Sequence, residues 1–173
     1  MSTRARLAIA GAVAVASLAG IVWLAVRATR SGGEHAAPLQ LAREHAAAVP
    51  FDRFTRARVG LGDRCLRVLV ADTEAERVQG LRDVRDVDGY DGMLFVYASD
   101  TDAGFTMAAT PMSLDIGWYD ARGRGVDRAR MVPCPHRDEA SCPEHRSARR
   151  YRYALETRAG HLGGGAMHAC SGG

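Results

Sequence analysis

The sequence contains no lysine and no asparagine: all 23 of its basic side chains are arginine, and aromatic residues make up only 6% of its 173 residues. Without lysine the chain has no Schiff-base amine and no phosphate-binding P-loop lysine, and without asparagine it has no N-glycosylation acceptor. The G-x-S-x-G motif that positions the nucleophile of α/β-hydrolases is also missing. These absences exclude several enzyme classes, whereas the length suits one domain with an extension.

The N-terminal extension contains the longest apolar run of the chain. Residues 7–26 carry no charge and lie between a short basic N-terminus, residues 1–6, and Arg27. A helix of this length is about 30 Å long, which matches the hydrocarbon core of a bilayer. We therefore predict a single transmembrane anchor whose partner is the lipid bilayer.

The orientation and processing of this segment leave two alternatives. Two arginines flank each end of the run, and the charged amino terminus adds one positive charge to the first side. This extra charge favours an N-in, C-out topology, in which the C-terminal domain is extracytoplasmic at the cell membrane. Alternatively, the A-x-A-like motif at Ala14–Ala16 directs cleavage before Ser17, and the protein is secreted. Residues 27–57 contain a glycine pair, two prolines and no sustained apolar face, so they predict a flexible linker.

Five alternating or apolar runs predict β-strands in the rest of the chain. They are Cys65–Ala71, Gly92–Tyr97, Leu114–Asp120, Val126–Val132 and Arg150–Glu156. One helix is predicted from Thr73 to Leu81, because Thr73 and Glu76 form a capping box. Val78 and Leu81, three residues apart, would share one face of it. Since strands dominate and no βαβ unit repeats, we predict a mainly β fold, an antiparallel sandwich or barrel with one short helix.

Four sequence blocks occur in the order seen in a known family. They are A-D-T-x-x-E-R-x-x-G-L (71–81), G-M-L-F-V (92–96), F-x-M-x-x-T-x-x-x-L-D-I (105–116) and L-E-x-x-A-G (155–160). The chain thereby resembles the domain-of-unknown-function 192 (DUF192) family. The resemblance implies a jelly-roll-like β domain over residues 58–167, exported or membrane-anchored in bacteria and archaea. It implies a fold rather than a particular activity.

Several positions depart from the pattern of that family. Thr106 and Ala109 stand where the family usually has Trp and Asn, and Arg82 stands where it commonly has Met. The closing strand of the family is replaced by a glycine-rich sequence after Gly163. We therefore predict that residues 168–173 form a disordered tail and that the last strand is degraded or missing. An open sheet edge would then need cover from the tail or a partner.

The third and fourth blocks supply the candidates for a ligand site. Met107, Thr110 and Asp115 combine a hydroxyl and a carboxylate with apolar side chains, and Glu156 adds a second carboxylate. We predict that these four line a concave surface for a small molecule, a glycan or a protein. One alternative is that Asp115 is a structural residue with a satisfied carboxylate. Another is that Asp115 and Glu156 are the acid and base of a hydrolase-like enzyme, which would require one raised pKa.

The cysteines offer either a disulfide or a metal site. Cys134 and Cys142 lie in PCPHRDEASCPEH, whose proline-bracketed cysteines resemble paired cysteines of exported family members, and we predict that they form a disulfide. No cofactor is predicted on that interpretation. The alternative is structural zinc, although the C-x-H-x5-C-x2-H spacing is tighter than that of zinc fingers. Its ligands would be Cys134, His136, Cys142 and His145.

No metal site is predicted at the acidic run or near the C-terminus. The acidic run of residues 83–91 lacks the register of a calcium loop and predicts a solvated turn. Cys65 and Cys170 would pair with each other or stay free, and the histidines near the C-terminus are interpreted as tail residues rather than soft-metal ligands.

Charge is unevenly distributed along the folded part. Residues 59–120 contain 5 Arg and 12 acidic residues, whereas residues 121–158 contain 10 Arg and 5 acidic residues. No nucleic-acid partner is predicted, because only Tyr151 and Tyr153 interleave the arginines.

The combined prediction is a membrane-tethered extracytoplasmic binding or accessory module, with the hydrolase-like enzyme and the zinc module as alternatives.

Overall fold

The computed structural model describes Leu39, Ala42–Glu44 and residues 51–170 of the chain. The predicted anchor at residues 7–26 lies outside the described residues, as do its orientation and its cleavage. Within the described part, no helix is long and apolar enough to cross a membrane.

Ten strands, one α-helix and one short 3₁₀ turn make up the described part of the chain. The strands are β1 (Ala42–Glu44), β2 (Thr55–Leu61), β3 (Arg64–Ala71), β4 (Gly92–Thr101), β5 (Phe105–Thr106), β6 (Leu114–Tyr119), β7 (Gly125–Met131), β8 (Glu144–His145), β9 (Tyr151–Arg158) and β10 (Met167–Ala169). The helix α1 spans Glu74–Gln79 and the 3₁₀ turn spans Glu139–Ser141. The predicted mainly β fold with one short helix is confirmed, and β3, β4, β6, β7 and β9 are the five predicted strands.

Eight of these strands form one sheet. Its order is β1-β2-β3-β4-β9-β6-β7, and β10 pairs with β2 outside that path. All its neighbouring pairs are antiparallel except β3 and β4, which are parallel because α1 carries the chain from the end of β3 to the start of β4. A second, two-stranded sheet pairs β5 with β8.

Strand β10 brings the two ends of the large sheet together. It pairs antiparallel with β2, and the backbone N–H of Met167 also donates to the carbonyl of Gly123, 2.7 Å away in the β6–β7 connection. Gly123 has a φ of 76°, a left-handed conformation that favours glycine. The sheet is therefore curled rather than open.

The C-terminal segment differs from its predicted disorder. Residues 168 and 169 belong to β10, and Cys170 forms a disulfide with Cys65 at the start of β3. The strand is ordered because its backbone groups satisfy the edge of β2 and because Met167 is buried in the core. Residues 171–173 lie outside the described residues.

Part of the predicted linker also belongs to the folded domain. Strand β1 pairs with β2, which begins at Thr55, and the backbone N–H of Leu39 donates to the hydroxyl of Tyr153 at 2.9 Å. Phe51 and Phe54 are both buried. The burial of these two aromatic side chains removes apolar surface from water and so favours packing of this segment on the domain. The prediction of a flexible linker over residues 27–57 did not take this into account.

The large sheet is covered on both faces. Alternate residues of β3 separate into two cores: Leu69 and Ala71 join one apolar cluster, and Val68 and Val70 join the other. This explains why β3 ends in a continuous apolar run, as expected for a strand buried on both sides. The first cluster also contains Phe105 of β5 and lies on the face that carries the candidate site.

The helix begins where the sequence predicted. The Thr73 hydroxyl accepts from the N–H of Glu76, and the Glu76 carboxylate accepts from the N–H of Thr73 at 2.9 Å, so the capping box is confirmed. The prediction that Val78 and Leu81 share one face of the helix is wrong. The helix ends before Gly80, whose φ is 46°, and Leu81 is buried while Val78 is 62% exposed.

Candidate ligand-binding cavity

The two carboxylates that were considered as a catalytic pair lie on opposite faces of the sheet. Strands β6 and β9 are neighbours in the sheet, with Asp115 paired with Thr157 and Ile116 paired with Glu156. Paired residues share a face and successive residues alternate, so Asp115 shares its face with Thr157, and Glu156 shares the other with Ile116. The two side chains do not converge on one substrate.

Asp115 is a satisfied structural residue. Both of its carboxylate oxygens accept from the guanidinium of Arg130, and one also accepts from the backbone N–H of Gly160 at 2.6 Å. Burial alone would raise the pKa of Asp115, but the hydrogen bonds from Arg130 and Gly160 outweigh it and hold that pKa below its usual value. The ion pair anchors β7 to β6, and the hydrogen bond from Gly160 anchors the turn after β9 to β6.

Glu156, unlike Asp115, has no charged partner for its carboxyl group among the described residues. Its side chain is buried, with 5% of the residue exposed, and it makes no hydrogen bond or ion pair with any residue that the structure describes. Burial raises its pKa to about 8, so the carboxyl group is mostly protonated at neutral pH. A buried carboxyl without a partner is costly to a fold and therefore needs an explanation.

Glu156 opens into a cavity of about 300 Å³. Helix α1 and the residues that follow it form one wall, and β4, β5 and the segment that connects them form another. The aromatic lining residues are Phe95, Tyr97 and Phe105. Val78, one of the two large apolar side chains that are exposed in the described part, also lines it. The cavity thus combines an apolar lining with a few polar groups, as small-molecule sites do.

Two arginines line the cavity, and their guanidinium groups are engaged by the protein. Arg77 donates to the carbonyls of Asp72 at 2.6 Å and Val96 at 3.0 Å, and its guanidinium lies 4.8 Å from the centre of the Tyr97 ring. Arg82 donates to the carbonyl of Val78 at 3.0 Å. These contacts fix α1 against β4 and hold both cations in place.

The segment between Cys134 and Cys142 closes one side of the cavity. Glu139 in this segment lines the cavity and forms an ion pair with Arg82. Arg137, from the same segment, binds both carboxylate oxygens of Asp83 at 2.7 and 2.8 Å. The two ion pairs attach the disulfide-bounded loop to the residues that follow α1.

The remaining predicted ligand residues divide between cavity and core. Thr110 lines the same cavity as Glu156, and its hydroxyl lies 3.4 Å from the carbonyl of Ala108. Met107 is 1% exposed and packs in the first apolar cluster. The structure therefore brings together two of the four predicted residues, Thr110 and Glu156.

The departures from the family pattern lie at or beside the cavity. Thr106 and Arg82 line it at positions where the family usually has Trp and Met. Ala109, where the family usually has Asn, has a φ of 56°, a left-handed conformation that asparagine tolerates better than alanine does. Thr106 therefore lines the same cavity as Glu156 with a side chain smaller than an indole.

Cys134 and Cys142, the predicted pair, lie at disulfide distance, as do Cys65 and Cys170. With both sulfurs of the first pair bonded to each other, the zinc alternative would retain only His136 and His145 as ligands in this state. Among the described residues, no group of three or more His, Cys, Asp or Glu side chains is placed to hold a metal ion.

The large sheet is curled, one helix connects β3 to β4, and the cavity lies between that helix and the sheet. These features define a small β domain with a cleft on one face of its sheet. The chain belongs to the DUF192 family, described as "Uncharacterized ACR", whose pattern matches residues 57–164. The predicted family membership is thereby confirmed. No functionally curated protein matches the chain.

Two solved structures are similar to this chain. A protein of unknown function from Novosphingobium aromaticivorans has 25% identity and a TM-score of 0.58, covering 75% of this chain and 89% of its own. A Sinorhizobium meliloti protein described as a candidate transcription regulator has 24% identity and a TM-score of 0.55, covering 65% of this chain and 91% of its own. The second likeness concerns the fold alone.

Proposed function

We propose that this chain is a binding module that holds a small molecule in the cavity in front of Glu156. The observation that supports it is the buried carboxyl group of Glu156, which lines a cavity of about 300 Å³ and has no partner among the described residues. A ligand that supplies a polar partner would satisfy this group. The proposal explains both the cost of burying Glu156 and the exposed apolar side chain of Val78 beside it.

A binding module is favoured over the hydrolase-like enzyme. Paired acids act on one bond from a shared cleft, whereas Asp115 and Glu156 project from opposite faces of the sheet. Asp115 is also held as a carboxylate by Arg130. Glu156 remains available as a single recognition group for a ligand.

The test is a small-molecule library screened by thermal shift on the full-length chain. A ligand that binds only the native state raises its melting temperature, by an amount that grows with the ratio of ligand concentration to Kd. The wild type is compared with Thr106→Trp, which places an indole in the cavity, and with Val132→Trp, which adds the same group at an exposed site outside it.

We expect hits that stabilise the wild type and Val132→Trp but not Thr106→Trp. Hits that act equally on all three chains, or the lack of any saturable hit, would contradict the proposed binding function.

The proposed module is tethered to a membrane and faces an oxidising compartment. Two features support this placement: the charge-free run of residues 7–26 and the two disulfides, which persist in exported rather than cytosolic proteins. Alkaline carbonate extraction of membranes, with sequencing of the amino terminus, tests the tether. Release with a new terminus at Ser17 would favour the secreted alternative.

A further inference from the structure

We propose that the ligand of this cavity is a small organic cation, an amine on an apolar body, whose charged group forms an ion pair with Glu156. This inference rests on the proposed binding function and specifies the chemical class of its ligand. It depends on which lining groups are already satisfied by the protein and which are not.

The arginines of the cavity are poorly placed to receive an anion. Arg77 is held by two backbone carbonyls and by the Tyr97 ring, and Arg82 is held by a carbonyl and by Glu139. An anionic ligand would have to displace these contacts. It would also face the carboxylates of the lining, where glutamates outnumber arginines by four to two.

Two of the four glutamates that line the cavity make no ion pair within the described part of the chain. Glu144 is held by Arg146, with two contacts of 2.8 Å, whereas neither Glu74 nor Glu156 makes an ion pair within the described part of the chain. Glu74 is exposed at the start of α1, and Glu156 lies in the buried interior of the cavity. A cation that enters would therefore meet the carboxylate of Glu74 at the rim and the carboxyl group of Glu156, which ionises on binding, inside.

The cation is organic rather than a metal ion. No group of three or more metal-binding side chains occurs among the described residues, so a metal ion would lack ligands here. The lining instead offers the rings of Phe95 and Phe105, whose centroids are 5.0 Å apart, together with Tyr97. Aromatic rings bury an apolar body and attract a positive charge through their faces.

The pairing predicts that binding is coupled to a proton. The pKa of Glu156 is about 8, and an ion pair requires its ionised form, so the binding of a cation near pH 7 releases a proton. Other titratable or charged groups also face the cavity. They are Glu74 and Arg77 of α1, Arg82 after it, Tyr97 of β4, Glu139 of the 3₁₀ turn and Glu144 of β8.

The experiment compares benzylamine, benzyl alcohol and benzoate, which share a ring and differ in charge. Binding to the full-length chain is measured by calorimetry from pH 6.5 to 7.5, where benzylamine stays protonated, in buffers of different ionisation enthalpy. We expect benzylamine to bind best, to gain about three- to tenfold in affinity over this range, and to release a proton. Glu156→Gln should lower its affinity at least about tenfold and remove the pH dependence, while Asp63→Asn, an exposed carboxylate on the β2–β3 turn, should not.

The outcomes separate the ligand class from the binding function. If benzyl alcohol or benzoate binds better and Thr106→Trp abolishes that binding, the cavity is a binding site and the cation proposal is wrong. If benzylamine binds equally well to Glu156→Gln, the ion pair is wrong. If none of the three binds, the cation class is overturned, and the library screen with Thr106→Trp decides the binding function independently.

Discussion

Asp115 on β6 and Arg130 on β7 are directly opposite one another in the antiparallel ladder, and the guanidinium contacts both oxygens of the carboxylate. The same carboxylate accepts from the N–H of Gly160, so one side chain joins two strands and a turn. Arg130 is largely exposed, whereas Asp115 is buried. The removal of either residue therefore has unequal consequences.

Asp115→Ala should destabilise the domain by about 1 to 3 kcal/mol, because the guanidinium of Arg130 and the N–H of Gly160 both lose a charged acceptor. Arg130→Ala should cost more, because the buried carboxylate of Asp115 then loses its charged partner and keeps only the hydrogen bond from Gly160. Urea unfolding measures both changes. Ligand binding in the Glu156 cavity should be unaffected by Asp115→Ala, and a loss of binding at normal stability would contradict its structural role.

Glu156 should make the domain less stable as pH rises. Its pKa is about 8 in the folded chain against 4.5 as an ordinary glutamate, so between these values the unfolded chain releases a proton that the folded chain keeps. The free energy of unfolding should therefore fall from about pH 4.5 to 8 and level off above. Glu156→Gln should remove this contribution and stabilise the chain at pH 8.5 by about 3 to 5 kcal/mol relative to wild type.

The measurement is urea unfolding of both chains at pH 5 and pH 8.5, with Asp63→Asn as the control for loss of an exposed carboxylate. Identical pH dependence in wild type and Glu156→Gln would show that the carboxyl group of Glu156 is ionised in the fold.

Ala109→Asn should stabilise the domain by about 0.5 to 1 kcal/mol. The φ of 56° is unfavourable for alanine, and asparagine adopts it at lower cost. Ala109→Val is the matched comparison, because a β-branched residue fits this conformation poorly and should destabilise the domain. Thermal unfolding of the two variants measures the difference, and an equal effect of Asn and Val would refute the conformational explanation.

The two disulfides should contribute unequally. By chain entropy, a bond across the eight-residue separation of Cys134 and Cys142 is worth about 2.5 kcal/mol. The bond between Cys65 and Cys170, separated by 105 residues, is worth about 4.7 kcal/mol. Paired Cys→Ser variants compared by urea unfolding should follow this order. Intact mass before and after alkylation measures the redox state, and one equivalent of zinc with two free thiols would support the zinc alternative.

The sequence predicted those parts of the fold whose signals are local. Five strands and the capped helix are read from alternation and from the Thr73–Glu76 pair, which depend on neighbouring residues. Strand β10 has only three residues and is held by the edge of β2 and by the bond from Cys65 to Cys170, both distant in sequence. No local pattern reports such contacts.

The candidate site was only half predictable for a related reason. Whether Asp115 and Glu156 share a face depends on the register of β6 against β9, and a shift of one residue would reverse the answer. The sequence contains no direct record of that register. Thr110 and Glu156, two of the four predicted ligand residues, line one cavity, while Tyr97 and Phe95, which also line it, were interpreted only as part of a strand.

The bond between Cys65 and Cys170 also determines how the domain would respond to mechanical force. A pull on the two ends of the chain would pass from Cys170 directly to Cys65, because the covalent bond is the shortest path between them. The backbone of residues 66–169, which includes the strands that line the cavity, would then lie outside the covalent path of the force. Reduction of this single bond would expose the whole sheet to stretching.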